Sequence, residues 1–256
     1  MTEAPRRAAR RKAKARRRVT IVGVIGELLI TAGVLVMLFL GWQLWLNDII
    51  QAEEQQNVAD DVSETWDQDD FLDQAELPPV VSDPGEPIVR ENPGLNDKVA
   101  VLYVPRFGED YKRTIYQGTD LYDVLDIGIG HYVDTQMPGE VGNFALAAHR
   151  TTWGKPFADI AELQLGDEIY VETPDGWYVY KFRSSEYVRP TGVGVIDPVP
   201  QMSGVEPTDR ILTMTSCNPL YSAAERIIAY SVFDHWVPRA EGAPKEIAWV
   251  VQAEGS

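Results

Sequence analysis

The sequence predicts a mainly β fold, a closed barrel or sandwich with short helices, preceded by one N-terminal transmembrane helix. Three observations carry this. Apolar residues fill positions 19–40 almost without interruption, enough to cross a bilayer as a helix. Residues 47–97 are rich in Asp, Glu, Gln and Pro, a composition that disfavours a packed core. From residue 98 onward short β-branched and aromatic runs alternate with turn signals, and only residues 155–163 look helical.

The N-terminal element comes first. The chain has 256 residues and a net charge of -16, yet its first 18 residues are strongly basic. Arg6, Arg7, Arg10, Arg11, Lys12, Lys14, Arg16, Arg17 and Arg18 are opposed there only by Glu3. A basic tail alone would suit nucleic acid. The apolar run that follows excludes that reading and makes the cluster a topology signal, with the N-terminus on the cytoplasmic side. Trp42 and Trp45 stand where an interfacial aromatic belt belongs. A cleaved signal peptide would have a shorter apolar region and a small-residue exit. Bulky residues at 42–45 predict an uncleaved anchor instead. The expected organisation is a basic tail (1–18), a transmembrane helix (19–46), an acidic Pro-rich stalk (47–97), a β domain (98–240) and a C-terminal tail (241–256).

Within the stalk, residues 47–56 are expected to continue the helix beyond the membrane, and the prolines from Pro78 to Pro93 to keep the chain extended. Asp67, Asp69, Asp70 and Asp73 fail the spacing of a calcium loop and read as a solvated spacer. Strands are predicted over 99–105, 143–148, 168–172, 177–182, 185–189, 211–216 and 226–233. Thr173-Pro174-Asp175-Gly176 makes the 168–172 and 177–182 runs a hairpin, because Pro fixes φ and Gly accepts a positive φ. Residues 247–251 read as a further edge strand.

Chemistry centres on the single cysteine, Cys217. It has no intramolecular partner, so it is either a small buried apolar residue or a reactive thiol. A thiol nucleophile needs an imidazole or a cation to favour the thiolate. Acyl transfer then needs a cation or N–H donor at the substrate oxygen. The sequence offers His149 at the end of one predicted strand, Cys217 at the end of another and Arg226 at the start of the next. Parallel neighbouring strands, or strands sharing one barrel rim, would bring the three together. No metal-ligand spacing and no phosphate loop occurs, so neither metal nor cofactor is expected.

These residues resemble the sortases. Thr213-Met214-Thr215-Ser216-Cys217 followed by Arg226 is similar to that family's Thr-Leu-x-Thr-Cys strand and its following arginine, with Met214 and Ser216 as mild departures. Upstream, Gly130-His131-Tyr132, Pro138-Gly139, Gly142-Asn143 and His149-Arg150-Thr151-Thr152 occur in the family's order, as do Pro156-Phe157 and Gly166-Asp167. The His-Arg-Thr-Thr run, with Pro219, Ser222 and Ala223 between Cys217 and Arg226, is closest to the class E sortases of actinobacteria.

The resemblance implies a sortase-like closed β-barrel. It also implies His149 as acid/base, Cys217 as nucleophile and Arg226 as oxyanion and substrate stabiliser. Tyr132, His131, Thr215 and Ser216 become the candidate substrate-binding residues, with His131 read chiefly as a structural neighbour of the site. The implied reaction cleaves the Thr–Gly bond of an LAxTG- or LPxTG-like sorting signal through a thioacyl enzyme. The implied partners are secreted proteins bearing that signal and a lipid II-type cell-wall precursor amine, with the catalytic domain outside the cell. Pilin polymerisation is the alternative. It is disfavoured because Asp83-Pro84-Gly85 lacks the aromatic residue of a pilin-class lid and the tail shows no second span. Two other classes are weighed: an L,D-transpeptidase, whose Ser-His-Gly-Cys signature is missing around Cys217, and a non-catalytic anchored module.

Overall fold

The computed structural model describes residues 20–42, 46–73 and 85–252. Helix α1 (Ile21–Gly41) starts at an N-cap, where Gly23 N donates to Thr20 Oγ1 at 3.3 Å. Its mean hydropathy is 2.4 and none of its side chains is buried. At 1.5 Å per residue it is about 31 Å long, the thickness of a bilayer's hydrocarbon core. It is compatible with a single-pass membrane anchor. It forms a compact unit of its own, separate from residues 44–256.

The second unit is built on eight strands: β1 (Lys98–Tyr103), β2 (Lys112–Gln117), β3 (Ile129–His131), β4 (Gly142–Ala147), β5 (Glu168–Thr173), β6 (Gly176–Val188), β7 (Arg210–Asn218) and β8 (Glu225–Pro238). They close into a barrel in the order β1-β2-β3-β4-β7-β8-β6-β5, with β5 returning to β1. Most neighbours are antiparallel, but β2–β3 and β4–β7 are parallel. Closure leaves no free sheet edge.

Side chains alternate between the two faces of each strand. Ile115, Ile129, Phe144, Leu146, Ile169, Val171, Leu212, Met214, Ile227 and Ala229 fill the barrel interior. Gly130 is required by crowding, since a Cβ there would lie 2.4 Å from the Gly118 carbonyl oxygen. Gly176 ends the predicted hairpin at φ 147°, with the Val237 carbonyl 2.1 Å from where a Cβ would be.

The reading of residues 47–97 as an unpacked spacer differs from what the structure shows over 47–73. Helix α2 (Asn47–Asp73) lies on the outside of the barrel. Gln55, Ala59, Val62 and Trp66 recur at helical spacing, and the first three are buried. Ala59 and Val62 cover Val101, Tyr103, Tyr170, Trp177 and Val179 on the outer faces of β1, β5 and β6. The same patch receives Ile247 and Val250 from the C-terminal segment. That segment is the short helix α3 (Ala248–Gln252), not the expected edge strand. Its buried residues are three apart, a helical rather than a strand period.

A buried carboxylate sits beside this second core. Glu172, fully buried, accepts from Ser63 Oγ at 2.9 Å, Tyr103 Oη at 2.6 Å and Arg239 Nη2 at 2.7 Å. Arg239 stacks over the Trp177 ring at 4.7 Å. Each charge is thus paired and hydrogen-bonded, the condition under which a buried ion pair is tolerated. The acidic calcium-like run falls partly outside this description, because the side chains of residues 69–73 lie outside the described ones.

Candidate active site

Strand register builds the site. β4 and β7 run parallel, with Ala147 beside Thr215. The pairing continues past the end of β4. Ala148 N donates to the Thr215 carbonyl at 3.2 Å, and Ser216 Oγ donates to the Ala148 carbonyl at 2.7 Å. His149, one residue further on, therefore lies alongside Cys217. On the other side of β7 the antiparallel ladder sets Cys217 directly opposite Arg226. Leu212 and Met214 point inward, so Thr213, Thr215 and Cys217 point outward. The same alternation turns Arg226 outward, and His149 follows Ala148, whose side chain joins the barrel core. The three predicted catalytic side chains thus share one outer face at one end of neighbouring strands.

Each is partly exposed, and the His149 and Arg226 side chains are held by hydrogen bonds. His149 Nε2 lies 3.2 Å from Asp126 Oδ1. The Asp126 carboxylate, 11% exposed, fixes the ring orientation. The loop after His149 folds back on it: Phe157 N donates to the His149 carbonyl at 3.0 Å, and Phe157 is buried in the barrel core. Arg150 Nη1 donates to the Cys217 carbonyl at 3.4 Å and also bonds Asn218 Oδ1. Arg226 Nη1 donates to the carbonyls of Ala223 at 3.0 Å and Glu225 at 2.9 Å, which tethers the guanidinium at the rim next to Cys217.

Of the four candidate substrate-binding residues, the structure brings two to this face. Tyr132 Oη and Thr215 Oγ1 are 3.2 Å apart, two residues along β7 from Cys217. The other two point inward. Ser216 is buried on the interior face, its hydroxyl spent on the Ala148 carbonyl. His131 is fully buried, 4.9 Å from the Phe144 ring. Its Nδ1 meets Gln117 Oε1 at 2.7 Å, and its Nε2 meets the Gln136 carbonyl and Thr135 Oγ1, both at 3.0 Å. Burial lowers its pKa to about 4, so it stays neutral and braces the barrel behind Tyr132.

Asp126 is the site residue that sequence reasoning missed. It is one of 39 acidic residues and carries no motif. It follows the π-helical turn Leu121–Leu125, which is capped by Asp120 accepting from Tyr122 N and Asp123 N. That turn swings Asp126 under His149.

A profile of the sortase domain matches residues 102–233, from β1 to β8, and contains His149, Cys217 and Arg226. The chain belongs to the sortase family. Sortase SrtE1 of Streptomyces coelicolor is 35% identical over 92% of the chain, which spans 64% of that relative's length. Among solved structures, the SrtA sortase from Actinomyces oris aligns with a TM-score of 0.61 at 40% identity, covering 64% of this chain and 94% of that one. Sortase E1 from Streptomyces coelicolor, crystallised with a tripeptide in its active site, aligns with a TM-score of 0.56 at 37% identity. That alignment covers 59% of this chain and 97% of the other. These relatives make the sortase similar to class E members, as the His-Arg-Thr-Thr run implied. The eight-stranded closed barrel matches the fold expected from the resemblance.

Proposed function

We propose that this sortase cleaves the Thr–Gly bond of a C-terminal sorting signal and transfers the protein to a cell-wall precursor amine. The observation that carries the reading is the common outer face of Cys217, His149 and Arg226, with Asp126 behind His149. The Cys217 thiolate attacks the threonine carbonyl carbon. Arg226, opposite on β8, donates to the oxyanion, where negative charge develops. The C–N bond breaks, His149 gives its proton to the leaving glycine amine, and a thioester remains on Cys217. An acceptor amine then attacks the thioester. The new C–N bond forms, the C–S bond breaks, His149 takes the amine proton and the thiolate is restored. Tyr132 and Thr215 line the approach to Cys217 and contact the peptide. His131 and Ser216 act from behind as braces.

The tripeptide in the active site of the Streptomyces coelicolor relative supports a peptide substrate at this site. An LAxTG-like signal is the preferred form, with LPxTG as the close variant and a lipid II-type amine as acceptor. α1 anchors the enzyme in the cell membrane as a single span. The basic residues 1–18 keep the N-terminus in the cytoplasm and leave the barrel outside. The test is a panel of fluorogenic peptides carrying LAxTG, LPxTG and scrambled signals, each with and without an amine acceptor. Cleavage confined to the sorting signals, with an aminolysis product only when amine is present, is the expected result. Equal cleavage of the scrambled peptides would reject the reading.

A further inference from the structure

A second feature lies beside the catalytic residues. A cleft of about 500 Å³ runs between α2 and the barrel and ends at Asp126, the residue that holds His149. That volume suits a small-molecule group. Its walls carry the aromatic rings of Tyr116, Tyr122 and Trp153, together with Glu54, Gln55 and Asp126.

Gln55 shows what the cleft lacks. Only 4% of it is exposed, and its Nε2 donates to the Trp153 carbonyl at 2.8 Å. That bond fixes the amide, because a flipped Gln55 would set oxygen against oxygen. Its Oε1, buried in the cleft wall, has no hydrogen-bond partner among the described residues. A buried acceptor without a donor costs about 1–3 kcal/mol. The carboxylates of Glu54 and Asp126 are acceptors too, and no Lys, Arg or His is among the described residues lining the cleft. Aromatic faces attract cations. The one orphaned acceptor, the acidic lining and the aromatic faces together suit a cationic N–H donor.

We infer that the cleft is the binding site for the acceptor's primary ammonium, held by Gln55 Oε1, Glu54 and the rings beside the base that later deprotonates it. This rests on the transpeptidase reading above and names where its second substrate loads. The ammonium loses one proton to solvent and moves past His149 as the free amine. It then attacks the Cys217 thioester by the step already given. α2 is in consequence part of the enzyme's acceptor side, not only its link to the membrane.

The test uses the full-length protein in detergent, a sorting-signal peptide as donor and glycinamide as the ammonium probe. Glycolamide, with a hydroxyl for the amino group, is the neutral control. Glu54→Lys puts a cation at the cleft mouth on an exposed position that the fold does not need. Gln55→Met removes the buried acceptor, with melting temperature followed alongside. Equilibrium dialysis of labelled glycinamide reads binding without turnover, and the ratio of aminolysis to hydrolysis products reads use of the site. Expected are a tenfold or larger rise in the half-saturating glycinamide concentration in both variants, a partition shifted to hydrolysis, and no competition from glycolamide. Glycinamide binding and partition within twofold of wild type in both variants would overturn the inference, as would equal competition by glycolamide. Absence of any thioacyl adduct on Cys217 in the wild type would instead reject the transpeptidase reading and with it the acceptor role. Altered dialysis binding in Glu54→Lys would still report an ammonium site.

Discussion

Cys217 and Arg226 stand directly opposite each other across the antiparallel pair β7–β8. Cross-strand partners share a face and lie about 5 Å apart at Cβ. Backbone register therefore sets Arg226 beside Cys217, with its guanidinium bonded to the carbonyls of Ala223 and Glu225. Its planar fork supplies directed hydrogen bonds that an ammonium cannot copy. Arg226→Lys is expected to lower kcat/KM by about two to three orders of magnitude, the usual loss for an oxyanion donor. Peptide cleavage kinetics, with melting temperature unchanged, check this.

Asp126 makes a second demand. It meets the His149 ring at 3.2 Å and orients it. Misdirecting a catalytic group by about 1 Å costs ~10²-fold. Asp126→Ala should lower kcat by about 10- to 100-fold and leave KM for the donor peptide within twofold. An unchanged kcat would show that the loop clamp through Phe157 orients His149 by itself.

His131 gives the barrel a pH dependence of stability. Its folded pKa is about 4 against an ordinary 6.5, because burial disfavours the charged ring. Between those values the unfolded chain binds a proton that the folded one does not, so stability falls as pH falls. The loss begins below pH 6.5 and is complete near pH 4, on the order of 3 kcal/mol across the window. His131→Gln should flatten this part of the curve relative to wild type. Denaturant melts at pH 7 and pH 5 measure the difference.

α2 is expected to be a structural part of the enzyme. Val62 is 4% exposed against Tyr103, Tyr170 and Trp177. Val62→Asp buries an unpaired charge and should cost roughly 3–5 kcal/mol. A soluble form beginning near Pro87 would lose this cover altogether and should melt well below one beginning at residue 46. Equal melting temperatures would show the second core to be self-sufficient.

Much of the barrel is readable in the sequence, and the exceptions have physical causes. β1, β4, β5, β7 and β8 are apolar or alternating runs bounded by turn residues. β2 hides because Lys112 and Arg113 read as exposed, yet both are buried; Arg113 is covered by the Tyr111 ring at 4.9 Å. β3 is only three residues long and takes its shape from its neighbours. β6 reads as two strands because Arg183-Ser184-Ser185 is polar and the pairing with β8 shifts there. The helix expected over 155–163 is reduced to one 3-10 turn, Ile160–Glu162. Trp153, Gly154 and Lys155 precede it with positive φ, held by Gln55 of α2. His149, Cys217 and Arg226 are legible from their motifs. Asp126 and Gln55 are not, since each acts through a contact far away in sequence.

The central claim is that Cys217 forms the thioacyl intermediate, and intact-protein mass spectrometry tests it most directly. With a sorting-signal peptide and no amine, wild type should carry an adduct of the mass of the peptide up to its threonine, mapped to Cys217. Cys217→Ala should carry none and show no cleavage. Adding amine should discharge the wild-type adduct into the aminolysis product. Turnover retained by Cys217→Ala, or an adduct mapped to another residue, would contradict the account.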